Sequence, residues 1–243
     1  MPPTVVLIRH AQAEHNVMCD WSIPDPHLTA LGKSQAKAIP TTYPSLFDNV
    51  DIILSSPMRR TIETTLLGFP KLKDGSVKLE LLPDLQETAA HPCDTGSSRE
   101  FLQNEFKDFA WVDFSNCIDG WNDKKGKYAP TPEALQKRAL EVRRHLKSRT
   151  EGTVLVVCHA GFLRHLLLLP HEHFWANVEA RVFRFQDDSN ESIDNGYDPP
   201  PKTDQALLQR LPEEEEINVL GRPSADAKKD LEGEKDPHSA PQH

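Results

Sequence analysis

The chain has 243 residues, of which 37% are hydrophobic and 27% are charged, values that are ordinary for a globular protein. Its formal net charge of −9 argues against a general nucleic-acid binder and against a protein that binds anionic membranes. Residues 187–243 carry 15 acidic and 6 basic residues, whereas 1–186 carry 22 of each. The excess negative charge therefore lies in the C-terminal part, and the rest is compatible with an anionic substrate.

Apolar runs and helical patterns alternate along the first 186 residues. Short runs rich in β-branched residues are typical of buried strands, whereas apolar residues three and four positions apart indicate helices. In chain order the patterns predict strand 4–8, helix 29–38, strand 51–54, helix 57–67, strand 77–82, helix 98–109, helix 131–149, strand 153–157, helix 161–169 and strand 180–185. We expect Pro40 to end the first helix, because proline lacks the N–H that the next turn needs.

Strands that alternate with helices predict an α/β fold. The expected architecture is a three-layer α/β/α sandwich with a mostly parallel central sheet. The alternating pattern of 180–185 suggests a strand at the edge of the sheet, where it could be antiparallel. We assign 1–186 to this domain. Residues 187–243 are acidic and contain 7 of the 20 prolines, which predicts a tail that is partly disordered or docked on the domain.

The N-terminus and the cysteines bear on location and on metal binding. The first ten residues lack a charged segment followed by a long apolar stretch, so we expect neither a signal peptide nor a membrane span. The four cysteines are scattered without a CxxC pair, which argues against a zinc site and fits reduced thiols. We therefore predict a cytoplasmic protein without a zinc site.

Three of the predicted strands end in polar or charged residues. They end at Arg9-His10, Ser55-Ser56 and Cys158-His159. Because ligands in such sheets bind beyond the carboxyl ends of the strands, we expect these pairs to converge. A neutral imidazole can attack phosphorus, arginines can neutralise phosphoryl oxygens, and a carboxylic acid can protonate the leaving oxygen. The convergence is therefore compatible with phosphoryl transfer.

Five segments match one family pattern in the correct order. Residues 7–16 resemble a hydrophobic strand followed by RHGExxxN, 28–36 resemble LTxxGxxQA, and 55–64 resemble SSPLxRxxxT. Residues 85–87 are similar to the segment that bears the proton donor, and 154–161 to a strand with an SHGG-type turn. The chain thus resembles the histidine phosphatase superfamily, which is phosphoglycerate mutase-like, in its branch of small phosphatases.

The resemblance implies a role for each matching residue. His10 accepts the phosphoryl group as a phosphohistidine. Glu87 protonates the leaving alkoxide and then activates water. The phosphoryl oxygens are bound by Arg9, Asn16, Arg60 and His159. Among these, His159 is expected to be a catalytic cation, and the register of the motif selects Arg60 rather than Arg59. No metal or other cofactor is implied, because arginines supply the positive charge.

We therefore predict a metal-independent phosphatase that hydrolyses a phosphomonoester through a phosphohistidine on His10. A phosphoglycerate-type phosphomutase and a catalytically silent scaffold of the same fold are the alternatives. Family mutases tend to carry a longer basic insertion after the acid, whereas 111–123 contain no Lys or Arg. The expected partner is a small-molecule phosphomonoester, not nucleic acid or a membrane, and the oligomeric state can be monomer or homodimer.

Several positions leave two interpretations open. Ala11 and Ala160 replace the glycines that usually follow each histidine, and they would be strained if their φ angles were positive. Residues 91–96 can form a turn or a wall of the substrate pocket, and 97–99 could contact substrate. Three aromatic residues can pack in the core or line the pocket, namely Phe106, Trp111 and Trp121.

Overall fold

The computed structural model of the chain describes residues 1–170, 172–186 and 207–220. Its strands are β1 (Thr4–Arg9), β2 (Ile52–Ser55), β3 (Lys78–Leu81), β4 (Thr153–Cys158), β5 (Ala180–Phe185) and β6 (Leu208–Arg210). Its α-helices are α1 (Glu14–Met18), α2 (Ala30–Thr42), α3 (Leu46–Asn49), α4 (Arg59–Gly68), α5 (Arg99–Glu105), α6 (Pro132–Lys147), α7 (Ala160–Leu167) and α8 (Glu213–Leu220). The strands form one sheet in the order β3-β2-β4-β1-β5-β6.

The predicted α/β class is confirmed, with a sheet that is mostly parallel. Strands β3, β2, β4 and β1 run parallel to one another, and β5 pairs antiparallel with β1. Val5 packs on the face that α6 and α7 cover, whereas Val6 packs on the face that α2 covers. Because both faces of the sheet are covered, β1 and β4 read as continuous apolar runs in the sequence.

The expectation that Pro40 ends its helix is wrong. Helix α2 continues through Thr42, and Tyr43 N still donates to Ile39 O at 2.9 Å. Tyr43 is also fixed by its hydroxyl, which donates to Val178 O at 3.1 Å and accepts from Ala180 N at 3.0 Å. The hydrogen bonds that hold Tyr43 at the start of β5 therefore outweigh the loss of one N–H group at Pro40.

Strand β5 is antiparallel, but β6 lies outside it, so β5 is not the edge of the sheet. Strand β6 pairs antiparallel with β5 and comes from the region predicted to be a tail. Glu216, in α8, accepts from Val182 N at 2.8 Å and forms an ion pair with Arg210 at 2.9 Å. Residues 208–220 thus pack on the body of the protein. The remainder of the predicted tail, 187–206 and 221–243, lies outside the described residues.

Two further features bear on the sequence predictions. Within the described ranges, each helix is too short or too polar to cross a bilayer. All four cysteines are free thiols, of which Cys19 is exposed and the others are buried.

Candidate active site

The ends of three adjacent parallel strands bring the central polar residues together. His10 follows β1, His159 follows β4 and Ser56 follows β2. The rings of His10 and His159 lie 5.2 Å apart between centroids, and the Ser56 hydroxyl lies 2.9 Å from His159 Nε2. All three side chains are buried. The convergence expected from the sequence is therefore present in the structure.

The hydrogen bonds of His10 define its tautomer. Arg60 Nε lies 3.3 Å from His10 Nε2, and because a guanidinium can only donate, Nε2 must be the acceptor. The proton of the neutral ring therefore lies on Nδ1, which donates to Ala11 O at 2.7 Å. Burial, followed by the charges of Arg60 and Arg9, holds the pKa of His10 well below 6.5. The ring is thus neutral near pH 7, with its lone pair on Nε2.

Two arginines place buried positive charge beside this lone pair. Arg60, in the first turn of α4, is fully buried and donates to Cys93 O at 2.6 Å. It also forms a longer ion pair of 3.5 Å with Asp94. Arg9, the last residue of β1, donates to Trp175 O at 2.6 Å. Neighbouring main chain therefore orients both guanidinium groups towards the end of the sheet where His10 lies.

His159 differs from the predicted cation. Its pKa is lowered well below 6.5, mainly by burial and then by the charge of Arg60. The resemblance to the family implied a charged ring for the histidine that binds the phosphoryl oxygens. Without an anion in the pocket, the cationic neighbours and the loss of water act against the charge. His159 is therefore neutral in the ligand-free protein.

Glu87 is held at the opening of α7. Its Oε2 accepts from Gly161 N at 3.1 Å, and its Oε1 accepts from Thr88 N at 2.9 Å. A β-carbon added at Gly161 would lie 2.9 Å from Glu87 Cδ and closer still to Oε1. Gly161, the last residue of the SHGG-type turn, therefore leaves room for the carboxylate of Glu87.

Asn16 is bonded within helix α1 and to the adjacent histidine. Its Oδ1 accepts from Ala13 N at 2.9 Å, so its amide nitrogen is the donor to His15 Nε2 at 3.1 Å. His15 Nδ1 is buried, with no hydrogen-bond partner within the part of the chain that the structure describes. Burial, and then Arg60 and Arg9, lower the pKa of His15 to about 2. His15 is thus a neutral member of the cluster.

The depressed pKa of His15 makes stability dependent on pH. The folded protein keeps His15 neutral, whereas the unfolded chain binds a proton below the ordinary pKa of 6.5. The stabilisation is therefore complete above pH 6.5 and is lost as the pH falls. Between about pH 7.5 and about pH 5, we expect the wild type to lose about 2 kcal/mol more unfolding free energy than His15→Gln. Urea titrations at both pH values measure this difference, and equal losses would show that folded His15 titrates normally.

These residues surround a pocket of about 290 Å³. Of the residues singled out from the sequence, its lining includes Arg9, His10, Asn16, Glu87, His91, Cys93, Asp94 and Ala160. Arg60 and His159 lie behind this lining, fully buried. Residues 91–94 form one wall, although they also form a short turn. Ser97 does not line the pocket, because its hydroxyl and N–H both donate to Asp25 Oδ2.

The aromatic residues that could have lined the pocket pack elsewhere. Trp121 and Phe106 belong to a buried cluster that also contains Met58 and Ile62 of the segment around α4. Trp111 is 42% exposed and does not line the pocket. Ala11 and Ala160 do not have positive φ angles, so the replacement of glycine at these positions introduces no strain.

The helix start at 28–36, which resembles LTxxGxxQA, supports the backbone beside His10. Thr29 N donates to Gln12 O at 3.1 Å, and Gln35 Oε1 accepts from Gln12 N at 2.9 Å. A β-carbon at Gly32 would collide with the main chain of Gln12, since it would lie 2.9 Å from the carbonyl carbon and closer to the oxygen. This segment therefore fixes the path of the chain two residues after His10.

Comparison with known proteins identifies the family. The model of the histidine phosphatase superfamily (branch 1) matches residues 5–191. The chain belongs to this superfamily. The match contains β1, β2 and β4, together with the residues that they place in the pocket.

Individual relatives of this superfamily cover most of the chain. A Schizosaccharomyces pombe protein named "Probable phosphatase" is 25% identical over 204 residues, which are 77% of this chain and 93% of that protein. An Arabidopsis thaliana "Phosphoglycerate mutase-like protein" is 30% identical over 203 residues, 68% of this chain and 73% of that protein. The structure of the ecdysone phosphate phosphatase from Bombix mori, 16% identical, has a TM-score of 0.52 and covers 82% of this chain and 98% of that one, a likeness of fold.

The sequence did not predict that three buried charged residues lie near Glu87, namely Asp94, Lys124 and Arg138. Burial, and then Glu87, raise the pKa of Asp94 to about 6, and these effects outweigh its ion pair with Arg60. Burial, and then Arg138, lower the pKa of Lys124 to about 7. Lys124 is the first basic residue after 111–123, a stretch that contains none, but this spacing gave no reason to place it beside Glu87.

The charge in the pocket comes from protein side chains. Searched over 1–170, 172–186 and 207–220, the structure contains no group of three or more His, Cys, Asp or Glu side chains that could hold a metal ion. The cations beside His10 are instead Arg9 and Arg60. The arrangement can bind a tetrahedral anion between these arginines and present a nucleophilic nitrogen and a carboxylic acid to it.

Proposed function

We propose that the protein is a phosphatase that hydrolyses a small-molecule phosphomonoester through a phosphohistidine on His10. The observation that carries the proposal is the contact of 3.3 Å between Nε of the buried Arg60 and His10 Nε2, which makes Nε2 an unprotonated acceptor. A neutral imidazole is nucleophilic, and an arginine at the same nitrogen can stabilise the phosphoryl oxygens that approach it. The name of the yeast relative supports hydrolysis as the reaction.

The proposed reaction has two steps, which both use Glu87. In the first, His10 Nε2 forms a bond to phosphorus as the ester P–O bond breaks, and Glu87 gives its proton to the departing oxygen, which releases an alcohol. In the second, water attacks phosphorus, the N–P bond breaks and Glu87 takes a proton from the water. Inorganic phosphate leaves, and both His10 and Glu87 return to their starting states.

We assign the remaining predicted residues to phosphate binding. Arg9 and Arg60 neutralise the phosphoryl oxygens, and Asn16 contributes its amide. His159 supplies a hydrogen bond, and it becomes cationic only once a bound phosphoryl group offsets the neighbouring arginines. In this proposal no metal takes part, because the arginines stabilise the charge that a metal would otherwise stabilise.

A phosphomutase remains the second candidate, since two Arabidopsis relatives are named phosphoglycerate mutase-like. The absence of Lys and Arg from 111–123 favours hydrolysis, because this is where mutases of the family tend to carry a basic insertion. We also propose that 1–186 form the catalytic domain, on which 208–220 pack. The free thiols favour a reducing compartment, and we propose the cytoplasm.

The proposal is tested by turnover and by capture of the intermediate. The protein is incubated with p-nitrophenyl phosphate in excess EDTA, quenched under alkaline conditions that preserve phosphohistidine, and mapped by mass spectrometry. We expect turnover in EDTA and a phosphoryl group on His10, which is absent in His10→Ala. Loss of turnover in EDTA would contradict the metal-free mechanism. Faster isomerisation than hydrolysis of 3-phosphoglycerate would indicate a mutase, and no turnover of any phosphomonoester a silent scaffold.

A further inference from the structure

Two buried cations lie behind Glu87 and donate to the same main-chain oxygen. Lys124 Nζ donates to Glu87 O at 2.7 Å, and Arg138 Nη2 donates to it at 3.5 Å. Lys124 is 8% exposed and Arg138 is 1% exposed. Lys124 lies in the loop before α6, and Arg138 lies in α6 itself.

The burial of Lys124 and Arg138 costs more free energy than a hydrogen bond to one carbonyl oxygen requires. Within the ranges that the structure describes, neither Lys124 nor Arg138 forms an ion pair with a carboxylate, and Arg138 Nε and Nη1 have no hydrogen-bond partner. Burial of a cation is unfavourable, and Arg138 also repels the charge of Lys124. The nearby charges of Asp94 and Glu87 offset only part of this cost, so the pKa of Lys124 falls to about 7. Lys124 adopts a φ of +53° as well, which residues with a β-carbon rarely do. A single neutral donor would satisfy the carbonyl at a lower cost.

Arg138 also contacts the helix that binds the carboxylate of Glu87. Its guanidinium lies 4.8 Å above the ring of Phe162, in α7. Phe162 follows Gly161, whose N–H donates to Glu87 Oε2 at 3.1 Å. One arginine therefore touches both the main chain of the acid and the element that orients its carboxylate.

We propose that Lys124 and Arg138 are positioning residues for Glu87, which fix its main chain and place positive charge behind the carboxylate that forms when its proton leaves. The inference rests on the proposed role of Glu87 as the acid. Negative charge develops on Glu87 as the leaving oxygen is protonated, and nearby cations fixed in advance stabilise that charge without reorganisation. Their effect must therefore grow with the demand of the leaving group for a proton.

The test compares two substrates that differ in this demand. p-Nitrophenyl phosphate has a leaving group that needs little protonation, whereas the alkoxide of glycerol 2-phosphate needs it fully. The ratio of kcat/KM for glycerol 2-phosphate to kcat/KM for p-nitrophenyl phosphate isolates the acid, because effects on phosphate binding cancel. We expect Lys124→Met to lower this ratio about tenfold. Lys124→Arg should keep it within about threefold of wild type, and the exposed neighbour Lys125→Met should leave it unchanged.

Two further variants separate the possible outcomes. Glu87→Gln should lower the ratio more than Lys124→Met does, and adding Lys124→Met to it should have no further effect on the ratio. If Glu87→Gln leaves the ratio unchanged, the proposed role of Glu87 is wrong. If Glu87→Gln lowers the ratio and Lys124→Met does not, the positioning role is wrong while the proposed function stands. Arg138→Met, with the same expected fall, replaces Lys124→Met if that variant does not fold.

Discussion

Replacement of Arg60 with methionine is expected to lower kcat/KM for phosphomonoesters by about 10³-fold or more. Arg60 is fully buried and is the cation that contacts His10 Nε2, at 3.3 Å. A guanidinium fixed by Cys93 O is already oriented for the phosphoryl oxygens, and loss of such a group from a desolvated site has effects of this size. Methionine fills a similar volume, so the loss should arise from charge and hydrogen bonding rather than from a cavity.

Arg59 provides a matched control in the adjacent position. Its guanidinium bonds Glu105 at 2.6 Å and Asp25 O at 3.2 Å, whereas Arg60 bonds His10 Nε2. Arg59→Met should change kcat/KM by less than about threefold, although it removes the ion pair with Glu105 and the hydrogen bond to Asp25 O. A larger loss in Arg59→Met than in Arg60→Met would show that the motif register is wrong. Arg60→Lys keeps the positive charge but loses the planar guanidinium, and it should lower kcat/KM about 10²-fold. This variant replaces Arg60→Met as the test if Arg60→Met does not fold.

The sequence predicted well the buried strands and the polar residues that follow them. The apolar runs that became β1 and β4 are buried on both faces, so each run identified its strand within one or two residues. The polar pairs at their ends then followed from the parallel topology. The register of the SSPLxRxxxT motif selected Arg60 over Arg59, and in the structure it is Arg60 that contacts His10.

Other features depend on contacts between residues far apart in the chain. Helix α2 passes Pro40 because Tyr43 bonds to Val178, 135 residues away. Lys124 lies 37 positions from Glu87, in a segment without a regular pattern. In the ligand-free protein, burial and neighbouring cations disfavour the charge of His159, whereas the sequence prediction of a cation concerns His159 bound to the phosphoryl oxygens and stays a prediction.

Strand β6 is too short to be predicted from a sequence pattern. Strand β6 has three residues, of which only Leu208 is buried, too few for a period to be recognised. Its place in the sheet is fixed by β5 on one side and by Glu216, which bonds both Val182 and Arg210. The same region was expected to be tail because it is acidic and rich in proline. The two apolar stretches at 206–211 and 217–220, rather than the acidic composition, are what indicated that this part of the tail could dock on the domain.

Gly161→Ala is expected to lower kcat for alkyl phosphates by about 10²-fold with little loss of stability. The new methyl group would occupy the space of the Glu87 carboxylate, 2.9 Å from Glu87 Cδ and 2.9 Å from Thr88 Oγ1. Both are side-chain atoms that can move, so the fold can adapt. The carboxylate, however, would leave its bond to Gly161 N, and a displacement of about 1 Å costs a catalytic group on the order of 10²-fold.

A double-mutant cycle with Glu87→Gln tests whether the effect passes through the acid. If Gly161→Ala acts only by displacing Glu87, adding it to Glu87→Gln should cause almost no further loss of kcat, whereas independent effects would multiply. Thermal unfolding should place Gly161→Ala within about 1 kcal/mol of the wild type, since alanine suits the first turn of α7 better than glycine does. Unchanged kcat in Gly161→Ala would mean that Glu87 does not act from the position that Gly161 leaves open.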